Sequence, residues 1–254
     1  MIRLIATDFD GTIHDAGSVP RIAHDLVNWL RFSQSSGAKW AICSGRQLND
    51  ELAAELHPLG GDPMPDFIVT VEREIQVRNN GWYAPDTEWN SRCAAAHADL
   101  FARADTSVRK VSRWIERRDF AELYHDKWSP LNIVADSMDA ADEIHAHMEK
   151  QFRAEPDLLI VRNSIYFRLA HRSFTKGTAL AEIARRLGLP KSDVFAAGDQ
   201  FNDLSMLDGT HAGMVAAPSN AIPLVKDVVS RAGGYVARQP YGLGVCEALQ
   251  HFQR

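Results

Sequence analysis

One short segment at the start of the chain, Met-Ile-Arg-Leu-Ile-Ala-Thr-Asp-Phe-Asp-Gly-Thr-Ile-His, constrains the fold more than any other. An apolar run from Ile2 to Ala6 stops at two carboxylates two positions apart, Asp8 and Asp10, with Gly11 and Thr12 behind them. Read as a strand, the run delivers both aspartates to its carboxyl edge, where a parallel α/β sheet presents its chemistry. Alternation sends the two side chains to the same side if the extended conformation continues. Carboxylates this close repel unless a cation lies between them or one is protonated. Both conditions suit phosphoryl transfer, in which Mg2+ takes hard oxygen ligands, one aspartate attacks phosphorus and the other moves a proton. Taken alone, the segment is equally an Asp- and Gly-rich turn, so the rest of the chain has to decide.

The following residues repeat an α/β rhythm. Pro20 to Gln34 carries Ile22, Leu26, Trp29 and Leu30 on one helical stripe. Gly37 closes it, and Ala38 to Cys43 reads as a second strand ending at Ser44-Gly45-Arg46. Leu48, Leu52, Ala53 and Leu56 give a second helix stopped by Pro58 and Gly60-Gly61, and Phe67 to Val71 a third strand. Strand, helix, strand, helix, strand implies right-handed crossovers and a parallel sheet. From Thr175 the rhythm returns. A helix opening at Lys176 and a strand from Val194 to Ala197 ending at Gly198-Asp199 come first. A strand at Met214–Ala216, a helix from Asn220 to Val229, a short strand at Tyr235–Val236 and a C-terminal helix follow.

Between these parts the texture changes. Helices are expected over Ser91–Ala104, Ser107–Arg118 and Met138–Phe152, a strand over Leu131–Ala135, and a hairpin turning at Arg162-Asn163-Ser164. The expected fold is therefore α/β: a Rossmann-like, doubly wound parallel sheet core (residues 1–81 and 173–254) with an inserted α+β cap domain (residues 82–172).

Length and composition agree with this. A chain of 254 residues, 45% apolar and 24% charged, can bury a substantial core. The net charge of −5 gives no reason to expect nucleic acid as a partner. No apolar run approaches the ~20 residues that cross a bilayer, and no secretory leader is expected before the first strand. Cys43, Cys93 and Cys246 are far apart and not in metal-ligand spacing, so they read as reduced thiols of a cytoplasmic protein.

Three later segments carry the chemistry. Ser44-Gly45-Arg46, between a strand end and a helix start, offers a hydroxyl and backbone N–H groups as a phosphate cradle, with an ordinary N-cap as the plain alternative. Arg46 would hold an anion or pair with Asp50. Lys176 stands at a helix start, against the helix dipole, which suggests a partner anion, either the aspartate pair or a phosphate. Gly198-Asp199-Gln-Phe-Asn202-Asp203 groups acid and amide oxygens at a sheet edge, a donor set for an octahedral ion that keeps some water.

In order and placement these four segments resemble the motifs of the haloacid dehalogenase superfamily of phosphohydrolases. The insert lies where members with the larger, type-two cap carry theirs. That is similar to the Cof-type, subfamily IIB sugar phosphatases and their sucrose-phosphatase-like relatives. The resemblance implies Asp8 as nucleophile and Asp10 as acid and base. It implies Mg2+ held by Asp8, the Asp10 backbone carbonyl and Asp199, with Asp203 as a further ligand or its support. Ser44, Gly45, Arg46, Lys176 and Asn202 would bind the phosphoryl group of a small phosphorylated metabolite, and the protein would be a monomer or homodimer. A phosphotransferase or phosphomutase, or a homologue that binds a phosphometabolite without turnover, are the alternatives. In the cap, Arg109, Arg113 and Arg117 could form a basic stripe, and Trp82, Trp89, Trp114 and Trp128 could stack on a sugar, though solvated and core roles are the plainer ones. The same holds for His125-Asp126-Lys127, and for His14, which could line the approach to the aspartates.

Overall fold

The computed structural model describes residues 1–56 and 62–253, without the side chains of Asp50, Glu51 and Ala53. The helix stop at Pro58 and Gly60-Gly61 and the pairing of Arg46 with Asp50 lie outside the described residues. The chain forms two compact units, Met1–Thr87 with Lys176–Arg254, and Glu88–Thr175.

The first unit begins with β1 (Leu4–Thr7), all four residues of which are fully buried, as expected of a parallel strand covered on both faces. Next come α1 (His24–Ser35), β2 (Lys39–Cys43), α2 (Asp50–Leu56) and β3 (Phe67–Thr70). Helix α1 starts later than its apolar stripe suggests, because Ile22 is bridged to His14 in extended backbone. Two further strands, β4 (Glu74–Asn79) and β5 (Trp82–Pro85), form an antiparallel hairpin on the β3 edge. Its two-residue turn is Asn80-Gly81, with φ of 49° and 86°, the left-handed pair that a tight hairpin requires. The change in texture after Asn79-Asn80-Gly81 thus marks the outermost hairpin of the large sheet, and residues 82–87 belong to that unit.

The second unit holds α3 (Thr87–Glu116), β6 (Ala121–Asp126), β7 (Ser129–Ala135), α4 (Met138–Gln151), β8 (Leu158–Asn163) and β9 (Tyr166–His171). Its four strands form an antiparallel sheet in the order β6-β7-β9-β8 with a hydrophobic core of its own. Helix α3 is one helix of 30 residues where the sequence suggested two. The buried stripe Trp89, Cys93, His97, Leu100, Ala104, Val108, Val111, Ile115 never loses phase, so Asp105-Thr106-Ser107 lies on the outer face and is not a break.

The first unit then resumes with α5 (Lys176–Arg186), β10 (Val194–Ala197), α6 (Leu204–Leu207), β11 (Met214–Ala217), α7 (Pro223–Arg231), β12 (Tyr235–Val236) and α8 (Tyr241–Phe252). Strand order is β12-β11-β10-β1-β2-β3-β4-β5, parallel from β12 through β3. Helix α7 starts at Pro223 and not at Asn220, whose side chain instead bridges the Gly11 carbonyl and the Tyr241 N–H.

Candidate active site

Strand β1 lies between β2 and β10, where the strand order reverses direction, which is the usual crevice for a ligand in an open α/β sheet. In register, Thr7 stands opposite both Ile42 and Ala197. Asp8, Ser44 and Asp199 therefore leave three adjacent strands at the same edge, one or two residues further on.

Carboxylate oxygens of Asp8, Asp199 and Asp203 lie within 4.8 Å of one another, and all three residues are buried. The Lys176 ammonium, 1% exposed at the first turn of α5, donates to Asp8 Oδ1 at 2.7 Å and to Asp203 Oδ1 at 2.8 Å. Asp203 Oδ2 accepts from the backbone N–H of Asp199 and of Gln200, at 2.9 and 3.0 Å. Both Asp203 oxygens are thus engaged with protein donors, whereas Asp8 Oδ2 has no protein donor among the described residues. Asp199 Oδ1 accepts from the buried Thr12 hydroxyl at 2.7 Å. Its other oxygen lies 2.5 Å from where a Cβ on Gly11 would stand, and Gly11 has φ of 82°, so only glycine fits there.

The electrostatics follow from this crowding. Burial, then the Asp203 charge, push the Asp8 carboxyl well above the usual range despite Lys176. Burial and Asp203 likewise raise Asp199 to about 7. Burial disfavours the Lys176 ammonium, but Asp203, Asp8 and Glu72 outweigh it and hold its pKa well above the ordinary lysine value. Hard oxygen donors that strain to stay charged fit a divalent cation, which would stabilise their ionised forms.

Asp10 stands apart from this group. Its carboxylate is gripped by both arms of Arg46, with Nε at 2.6 Å, and faces His14 Nδ1 at 3.4 Å. Arg46 therefore meets Asp10, an interaction absent from the sequence reading. His14 is buried, stacks on Phe9 and reaches Glu55 with Nε2 at 3.1 Å, so it stands behind Asp10 as a brace. Ser44 is buried at the end of β2, with its Oγ accepting from the Arg46 N–H at 3.0 Å, and its hydroxyl proton remains available to a ligand. Asn202 donates through Nδ2 to Glu72 Oε1 at 3.1 Å.

Glu72 and Thr12 are the residues the sequence reading gave no role in the site, while His14, expected to line the approach to the aspartates or to pack plainly, braces Asp10 from behind. Glu72 follows the carboxyl end of β3, the strand next to β2, and a search of every parallel strand end would have found it. Cys43 adjoins Ser44, but burial pushes its thiol up to about 12, so it is inert at neutral pH. In the second unit Arg109 pairs with Asp105 on the exposed face of α3. Trp89 is buried against Phe174, and Trp114 stacks on His147. Asp126 Oδ1 closes the β6–β7 turn by accepting from Trp128 and Ser129 N–H groups, both at 2.8 Å. Trp82, in the first unit, is 81% exposed on the edge strand β5.

A parallel sheet whose central strand sets buried carboxylates beside a buried lysine defines an α/β protein with an anion- and cation-handling site at its switch point. Comparison with known proteins specifies it further. The structure matches sucrose-phosphatase from Synechocystis sp., solved with sucrose and phosphate, with a TM-score of 0.75 at 18% identity over 100% of this chain and 99% of that one. Phosphatase YwpJ of Bacillus subtilis is 35% identical over 272 residues, covering 89% of this chain and 93% of its own. A phosphoglycolate phosphatase of Methanothermobacter thermautotrophicus is 24% identical over 256 residues, covering 99% of each. The haloacid dehalogenase-like hydrolase profile matches residues 73–238, a span that includes Lys176 and Asp199 to Asp203. The chain belongs to the haloacid dehalogenase-like hydrolases, as a phosphoric monoester hydrolase of that family. No helix among the described residues is long and apolar enough to cross a membrane.

Proposed function

We propose that the protein is a Mg2+-dependent phosphatase of a small phosphate monoester, a sugar phosphate or related alcohol, and that it works through a phosphorylated Asp8. The observation that carries this reading is the Lys176 ammonium buried between Asp8 and Asp203, beside three carboxylates whose oxygens lie within 4.8 Å of one another. The relatives' names support it, since they include a phosphoglycolate phosphatase and, by fold, a sucrose-phosphatase solved with sucrose and phosphate.

Asp8, Asp199 and the Asp10 backbone carbonyl would hold Mg2+, with Asp203 behind them, its two oxygens already bonded to Lys176 and to backbone N–H groups. When bound, the ion supplies charge neutralisation for Asp8 and the phosphoryl oxygens. Lys176, Ser44, the Gly45 loop and Asn202 orient the phosphoryl group. Asp8 attacks phosphorus while the ester P–O bond breaks, and Asp10 gives its proton to the leaving oxygen. Asp10 then takes a proton from water as the water oxygen bonds phosphorus. The bond to Asp8 breaks, releasing phosphate and restoring both aspartates. Both Asp10 oxygens lie in the Arg46 fork, so its proton transfers require Arg46 to release one of them, and an arriving phosphoryl anion offers Arg46 another partner. The three cysteines are buried and none forms a disulfide, which fits the reducing cytoplasm.

The test is phosphate release from a panel of sugar phosphates, polyol phosphates and nucleotides, with Mg2+ and with chelator. Release from sugar phosphates that falls to background in chelator is expected. Turnover indifferent to chelator would refute the metal, and a response to nucleotides alone would refute the substrate class.

A further inference from the structure

We propose that Glu72 is an internal anion of the phosphoryl pocket, a carboxylate that opposes the binding of free phosphate and so speeds its departure as product. The proposal rests on the phosphatase reading above and adds a residue to it.

Glu72 touches at once three of the residues assigned to the phosphoryl group. Its Oε1 accepts from Asn202 Nδ2 at 3.1 Å, and a Cβ on Gly45 would lie 2.4 Å from that same oxygen. Its Oε2 faces the Lys176 ammonium at 3.5 Å, an ion pair too long for a hydrogen bond. The side chain is 9% exposed, and Oε2 is buried without any hydrogen-bond donor among the described residues. A carboxylate present only to satisfy Lys176 would stand at bonding distance, as Asp8 and Asp203 do.

The backbone shows that the placement is imposed. Val71 and Glu72 have φ of 45° and 72°, left-handed conformations in which a β-branched and a long side chain are both strained. Hydrogen bonds hold them there, from Val71 N–H to the Arg46 carbonyl and from Glu72 N–H to the Ser44 carbonyl, each 3.0 Å. The turn after β3 is thereby fastened to the Ser44–Arg46 loop, which keeps the Glu72 carboxylate against the cradle.

Charge gives the consequence. With all groups ionised, the carboxylates of Asp8, Asp199, Asp203 and Glu72 face the single ammonium of Lys176. One divalent cation leaves this set with one excess negative charge, and that charge is Glu72. A phosphate ester can offset the repulsion with contacts made by its alcohol part, but orthophosphate has no such part. Glu72 therefore weakens ester and phosphate alike, and only the ester has contacts that restore its binding.

The experiment is inhibition by inorganic phosphate of p-nitrophenyl phosphate hydrolysis in Mg2+, for wild type, Glu72→Gln and Glu72→Gly. Glu72→Gln removes the charge and keeps the shape. Glu72→Gly removes the side chain at a φ that glycine adopts without strain, so folding is not at risk. Both variants are expected to lower the inhibition constant for phosphate by at least about tenfold. A residue that merely props Lys176 and Asn202 would give the opposite, weaker phosphate binding in both variants. Active wild type with an unchanged or raised constant in the variants overturns the role of Glu72 alone. Wild type without Mg2+-dependent hydrolysis overturns the phosphatase reading and this proposal with it.

Discussion

Asp8 and Lys176 share a hydrogen bond of 2.7 Å, and burial with the Asp203 charge disfavours a charged Asp8. Lys176→Met leaves the Asp8 and Asp203 carboxylates buried without their cation, and a loss of about 3 kcal/mol in urea denaturation with chelator is expected. Asp199 gives a pH signature. Its carboxyl is raised from 3.8 to about 7 on folding, so the fold binds its proton more tightly than the unfolded chain does. The stability this contributes is complete below 3.8 and lost as pH rises to about 7. In chelator, thermal melts of wild type should therefore lose ground to Asp199→Asn over that window, and saturating Mg2+ should remove most of the difference. Parallel melting curves of the two proteins across the window, with chelator present, would contradict the assignment.

At the scale of elements, strand ends were the legible part of the sequence. Short apolar runs that stop at Asp8, Ser44 and Asp199 are distinctive, because parallel strands buried on both faces read as nearly continuous apolar stretches, here with only Thr7 and the exposed Lys39 as polar members. Lys176 was legible for a different reason, as a cation at the wrong end of a helix. Glu72 was not, since its carboxylate meets Gly45, Lys176 and Asn202 across loops far apart in sequence. The β4–β5 hairpin was missed although Asn80-Gly81 is a strong turn signal, because a change in composition was taken for the end of the sheet. The division of α3 fell at two polar residues, Asp105-Thr106, read without the buried stripe that continues past them. That stripe yields a prediction. Thr106→Pro removes a helical N–H in mid-helix and should cost about 3 kcal/mol or more, measured by chemical denaturation. A near-neutral effect would mean that the helix is interrupted there.

At the scale of the whole molecule, every residue assigned to bond making, Asp8, Asp10, Ser44, Arg46, Lys176, Asp199, Asn202 and Asp203, lies in the unit formed by residues 1–87 and 176–254. The chain brings them together from both ends because β1 pairs with β2 on one side and β10 on the other. The second unit has its own core and supplies none of these groups. What the assembled residues are claimed to do is accept a phosphoryl group on Asp8. The most direct measurement is rapid acid quench of the enzyme turning over a sugar phosphate in Mg2+, followed by peptide mass analysis. The peptide containing Asp8 should carry one phosphoryl group, and Asp8→Asn should carry none and release no phosphate while remaining folded. A turning-over enzyme whose Asp8 peptide is never modified, or an Asp8→Asn variant that keeps wild-type turnover, would contradict it.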